Sequence, residues 1–197
     1  MSMSCAPTSP RPWLAAVLAI AGVSALAPAH AHQVWLENAG GQARLHFGEF
    51  NDNLRETSPG RLDQFKGVPL LEQQRTGAPA QRVDGQLGKD AFVYATTGSP
   101  DTLFATPTYP VIDRSKRNLP AMYWQPAARW VASLTKPVAP SAALDLVPTG
   151  KPGELKVVYQ GAPLPKAKVQ LAAPSGWTRE AEAGEDGTVT FVTPWKG

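Results

Sequence analysis

The stretch Gln33-Val34-Trp35-Leu36-Glu37-Asn38-Ala39-Gly40-Gly41-Gln42-Ala43-Arg44-Leu45-His46-Phe47-Gly48-Glu49 decides the fold. Its second half alternates: Ala43, Leu45 and Phe47 face one way, Arg44 and His46 the other. Gln33–Glu37 reads as a partner strand, and the Asn38-Ala39-Gly40-Gly41 segment between them reads as a hairpin corner. Pairing across that turn sets residues whose numbers sum to about 79 opposite one another, which brings His46 close to Gln33 and His32. A slip of one residue would move His46 to the other face.

Outward from this hairpin the same grammar persists. Apolar runs are short and stop at Gly, Pro, Asp or Asn, and 20 prolines and 17 glycines leave little room for helical periodicity. The pattern predicts an all-β, antiparallel chain. Ala91–Ala95 and Leu103–Thr106 are further strands, and Ala127–Ala132 is rich in apolar and aromatic side chains. Residues 51–80 are polar; Leu62, Phe65, Val68 and Leu71 are their expected anchors, with a short helical turn near Arg61–Lys66. Trp124 and Trp130 are expected to pack in a core or between domains.

Lys136-Pro137-Val138-Ala139-Pro140 is too stiff for a strand interior and marks a boundary. The expected organisation is a signal peptide over 1–31, an N-terminal β domain over 32–135, a linker over 136–142 and a second β unit over 143–197. Strands in this last unit begin near Leu144, Glu154, Ala167, Arg179 and Thr188. Five strands fall short of the seven or so of an immunoglobulin-like sandwich, so the unit is expected to be incomplete at its C-terminus.

Residues 1–31 have the grammar of a secretory signal: one charge, Arg11, an apolar run from Trp13 to Val23, and small residues at Ala29-His30-Ala31. Cleavage after Ala31 makes His32 the first residue; cleavage after Ala29 leaves His30-Ala31-His32 at the terminus. Either product would be exported, and soluble outside the cytoplasm. The single cysteine, Cys5, would be lost with the signal, which removes disulfides from consideration. The exported chain would carry 18 basic and 16 acidic residues, a net +2 with only Arg114–Arg117 clustered, so nucleic-acid binding is not expected.

A terminal histidine presents an α-amine and an imidazole in chelating position, a combination that suits nickel, cobalt or copper. With His46 nearby it would form the three-nitrogen set called a histidine brace, so a copper oxidase is one reading. A purely structural β module is another. Nucleophilic catalysis is not expected, since the exported chain has no cysteine, no Gly-x-Ser-x-Gly and no histidine beyond those at the terminus and His46. Asp52 and Glu56 form a carboxylate pair of a kind polar loops commonly contain.

Two groups of motifs carry a resemblance. YQGAPLPKAKVQL (159–171) and EDGTVTFVTP (185–194) are similar to turns of immunoglobulin-like modules in secreted bacterial proteins. Together with AHAHQVWLE (29–37) and LHFGEF (45–50), they make the chain resemble proteins assigned to the periplasmic side of cobalt and nickel uptake systems. The resemblance implies a periplasmic, metal-binding accessory working beside a metal permease or an outer-membrane receptor. It implies His32, Glu37, His46 and Glu49 as metal ligands. Residues 51–197 contain no histidine, which departs from the family pattern and argues against a high-capacity metal store.

Overall fold

A computed structural model describes residues 32–193. The expected signal and the final Pro194–Gly197 lie outside the described residues. The described chain is all-β, with three single-turn 3-10 segments at Phe50–Asp52, Arg61–Gln64 and Ser115–Arg117. Among the described residues no helix is long and apolar enough to cross a membrane.

Among the described residues nine strands come before the proline-rich boundary. They are β1 (Gln33–Ala39), β2 (Gln42–Glu49), β3 (Leu54–Arg55), β4 (Leu71–Gln74), β5 (Gln81–Val83), β6 (Gly85–Leu87), β7 (Phe92–Ala95), β8 (Thr102–Ala105) and β9 (Ala128–Val131). One sheet runs β1-β2-β7-β6, with β3 also paired to β2; the other runs β5-β4-β8-β9. All pairings are antiparallel. Ala43, Leu45 and Phe47 of β2 enter a core with Phe92 and Tyr94 of β7 and with Leu71, Leu103 and Ala128 of the other sheet. Leu62 and Phe65 join this core from the polar stretch, while Val68 stays exposed.

Strand β4 was not foreseen, because Leu71-Glu72-Gln73-Gln74 does not look half-buried. Gln73 is nevertheless buried. Its amide donates to the Thr97 carbonyl at 2.6 Å and accepts from the Thr97 N–H at 3.1 Å. A buried amide satisfied on both sides takes the place of an apolar side chain.

Among the described residues six strands follow the boundary: β10 (Leu144–Pro148), β11 (Glu154–Tyr159), β12 (Ala162–Pro163), β13 (Lys168–Ala172), β14 (Thr178–Glu182) and β15 (Thr188–Thr190). β11 pairs with β10, β12 and β15, and β13 pairs with β14. The two sheets share an apolar cluster of Val157, Val169, Ala183, Val189 and Phe191, separate from the N-terminal core. The β12 pairing was not anticipated; it spans only two residues of the Gln160–Pro165 turn.

The two halves are joined by a buried ion pair. Arg129 on β9 reaches Asp145 on β10 with two hydrogen bonds, Nε to Oδ1 at 3.1 Å and Nη2 to Oδ2 at 2.6 Å. The Ser141 and Leu146 backbone N–H groups also donate to Asp145. Burial pushes the Asp145 pKa up, but the hydrogen bonds and charge of Arg129, with the Ser141 and Ala142 N–H groups, outweigh it and hold the carboxyl below its ordinary range.

Candidate functional site

The β1–β2 hairpin sets the positions of all four expected ligands, and its register differs from the expected one. Strand β1 continues to Ala39, and only Gly40 and Gly41, at φ +60° and +75°, make the turn. Two central residues with positive φ are what a type I′ turn requires. Partner numbers therefore sum to 81, and Trp35, not Gln33, lies opposite His46. His46 stacks on Trp35, with ring centroids 5.3 Å apart. His32 instead packs on Phe47 at 4.9 Å, on the core side of the strand. The expected approach of His32 to His46 is thus corrected: alternation puts the two histidines on opposite faces. The histidine brace, and with it the copper-oxidase reading, requires both on one face.

The four residues separate into two His–Glu pairs. On one face, His46 Nε2 lies 3.5 Å from Glu37 Oε2; on the other, His32 Nδ1 lies 3.5 Å from Glu49 Oε1. Among the described residues no three His, Cys, Asp or Glu side chains form a group able to hold a metal ion by themselves.

His46 is only 2% exposed. Its Nδ1 lies 3.1 Å from the Asp90 carbonyl, which can only accept, so Nδ1 carries the proton and Nε2 the lone pair. Among the described residues Nε2 has no hydrogen-bond partner. Burial lowers the His46 pKa, against the opposing influences of the Asp90 carbonyl and Glu37. Burial raises the pKa of Glu37, yet hydrogen bonds from Trp35 and Arg55 hold it below its ordinary value overall.

A pH dependence follows from His46. Its folded pKa lies below the unfolded one, so as pH falls past about 6.5 the unfolded chain takes up a proton first. Stability contributed by neutral His46 is present above that pH, declines as pH falls, and stops declining once the folded protein is also protonated. Urea unfolding of wild type and His46→Phe at several pH values checks this. The wild-type curve should fall more steeply between about pH 7 and pH 5; parallel curves would refute the assignment.

His32 is held differently, by residues that reach it from β3 and the loop beyond. β2 pairs with β3 through Gly48↔Arg55, and the Glu56 N–H donates to the Phe47 carbonyl at 2.8 Å. Glu56 is thereby brought to His32, where Nε2 and Oε1 are 2.5 Å apart. The carboxylate can only accept, so in this contact Nε2 is the donor. Arg61, on the 3-10 turn Arg61–Gln64, lies 3.3 Å from Nε2 and pairs with Glu56 at 3.6 Å. Asp63 pins that turn by accepting from the Gly60 N–H and the Ser58 hydroxyl, and the Gly60 bond is the main reason its pKa is lowered.

Beside His32 opens a cavity of about 310 Å³, walled by Phe47, Tyr109 and Trp124 and bordered by Arg61, Ile112 and Met122. Its outer wall is a strap between β8 and β9, pinned where Ile112 and Met122 bridge. Trp124, expected as packing, does pack against the N-terminal core, and it also faces this cavity. Glu56 stood in the sequence only as half of a loop carboxylate pair. Arg61 and Tyr109 carried no signal, since neither belongs to a periodic segment.

Fold and site together define an all-β protein with a histidine set between two carboxylates at the edge of an aromatic cavity. No family model, curated protein or solved structure matches the chain.

Proposed function

We propose that the protein is an exported transition-metal-binding accessory, with nickel, cobalt or copper as its cargo and His32 as the anchoring residue. The observation that carries this reading is the pair of carboxylates on the two sides of the His32 ring. Glu56 accepts from Nε2–H, the second-sphere arrangement that fixes the tautomer of a metal-binding imidazole. His32 Nδ1 is 3.5 Å from Glu49 Oε1, near the roughly 3–3.5 Å between two donors that each bind one ion at about 2.0–2.2 Å. With residues up to Ala31 removed, the α-amine of His32 would join Nδ1 in a chelate. Amine, imidazole and one carboxylate form a donor set suited to a late transition metal.

This reading keeps His32 and Glu49 as ligands, gives Glu56 an orienting role, and leaves His46 and Glu37 outside the centre. It accords with the resemblance to the periplasmic side of nickel and cobalt uptake systems and with the immunoglobulin-like turns of the second unit. A metal permease or outer-membrane receptor is the corresponding partner.

Calorimetric titration with nickel(II) and copper(II) tests it, on protein beginning at His32 and on protein carrying one alanine before His32. The first should bind one equivalent, and the extension should weaken binding by on the order of a hundredfold through loss of the chelating amine. Equal affinity for both forms would contradict the proposal and favour a structural module.

A further inference from the structure

A second cleft, of about 830 Å³, opens between the outer face of β4 and β8, the strap, and the turn after β11. Its volume lies in the upper part of the range for small-molecule sites. Two tyrosines in its lining are unusually bare: Tyr123 on the strap is 77% exposed and Tyr159 at the end of β11 is 48% exposed. Neither ring belongs to an apolar core cluster. The cleft also carries both signs of charge. Glu72 is half-buried on the outward face of β4, with Arg82 and Phe104 opposite it on the flanking strands. Among the described residues its carboxylate has no hydrogen-bond or ion-pair partner, and neither has the Lys66 ammonium. Gln125 borders the cleft from the strap, and the Gln160 amide donates to the Tyr159 hydroxyl at 3.4 Å.

The chemistry of these groups narrows the ligand. A carboxylate only accepts, an ammonium only donates, and their charges cancel, so an ion of either sign meets one group that repels it. Proline-rich peptides dock in aromatic grooves, but their prolines have no N–H to offer Glu72. A hydroxyl both donates and accepts, so a ligand dense in hydroxyls satisfies Glu72, Lys66 and the two amides together. A pyranose carries hydroxyls around its rim and C–H bonds on its faces, and such C–H bonds are drawn to the negative face of a phenol ring. We infer that this cleft binds a neutral oligosaccharide. Tyr123 and Tyr159 are its stacking platforms, and Glu72, Lys66, Gln125 and Gln160 read its hydroxyls. The inference stands apart from the metal reading, because His32, Glu49 and Glu56 do not line this cleft. Tyr109 and Trp124, in edge-to-face contact at 5.2 Å, border both this cleft and the cavity beside His32, so a ligand here alters the surroundings of Trp124.

Cellotetraose, maltotetraose and chitotetraose are suitable probes, with a proline-rich decapeptide as the competing class. Protein beginning at His32 is titrated with each, and tryptophan fluorescence is followed alongside the heat. At least one of the three sugars should bind with a Kd of about 1 mM or tighter and perturb the fluorescence, and the peptide should not bind. Tyr123→Ala and Tyr159→Ala should each weaken that sugar about tenfold through loss of a stacking face, and Glu72→Gln should weaken it less. Tyr123 is exposed, so its substitution keeps the test valid if Tyr159→Ala folds poorly. If none of the three sugars binds, if the peptide binds and the sugars do not, or if both tyrosine variants bind the sugar as the wild type does, the inference is overturned.

Discussion

Gly48→Ala is expected to destabilise the N-terminal half by more than about 3 kcal/mol and to abolish metal binding with it. Gly48 has φ +151°, which side-chain-bearing residues rarely adopt. A Cβ added there would sit 2.1 Å from the Leu54 carbonyl oxygen and 3.0 Å from its carbon. Both are backbone atoms of β3, so relief requires β3 to leave β2. That separation would lose the Gly48↔Arg55 pairing and carry Glu56 away from His32. Urea unfolding and nickel titration of the variant check both consequences. A loss of under about 1 kcal/mol with unchanged metal affinity would show that β3 approaches β2 less closely than described.

Asp145→Ala is expected to cost about 3–5 kcal/mol, because it leaves the buried Arg129 guanidinium without its counter-charge. The two side chains are only 8% and 3% exposed. The change also removes the acceptor for the Ser141 and Leu146 N–H groups, so the start of β10 loses its anchor. The Arg129 guanidinium lies 4.8 Å from the Phe104 ring centroid, a contact that only partly compensates. Thermal unfolding should show a fall of roughly 10 °C. A double variant, Arg129→Leu with Asp145→Ala, should recover part of that loss, since no charge is then buried alone. If the double variant is as unstable as the sum of the singles, the pair is not coupled as described.

The parts of the fold legible in the sequence are those where one strand face is continuously apolar. The alternation through Ala43, Leu45 and Phe47 placed β2, and short apolar runs placed β7, β8, β10, β11, β13 and β15 near where they lie. Strands with little or no apolar face were not legible. β4 hides its buried position under Gln73, and β3 has two residues, too few for any period. The hairpin was legible but its register was not, because Asn38 and Ala39 pair with Ala43 and Gln42 when a turn reading assigns them to the corner.

The site divides along the same line. His32, Glu49, His46 and Glu37 were visible because they lie on one hairpin, yet the face each occupies depends on odd or even position. His46 pairs with Trp35, an odd number of residues from His32, and so the pair separates. Glu56 and Arg61 reach His32, and Tyr109 and Trp124 line the same pocket, from two irregular segments, and nothing in local sequence reports which loops meet in space. The Arg129–Asp145 pair was hidden for a similar reason, its members lying on the two sides of a proline-rich boundary.

The most direct test of the account is the number of imidazoles on a bound ion. Pulsed electron paramagnetic resonance of the copper(II)-loaded protein beginning at His32 detects the remote nitrogen of each coordinated histidine ring. One such ring is expected, lost in His32→Ala and retained in His46→Phe. Two rings, or a single ring that survives His32→Ala, would contradict it.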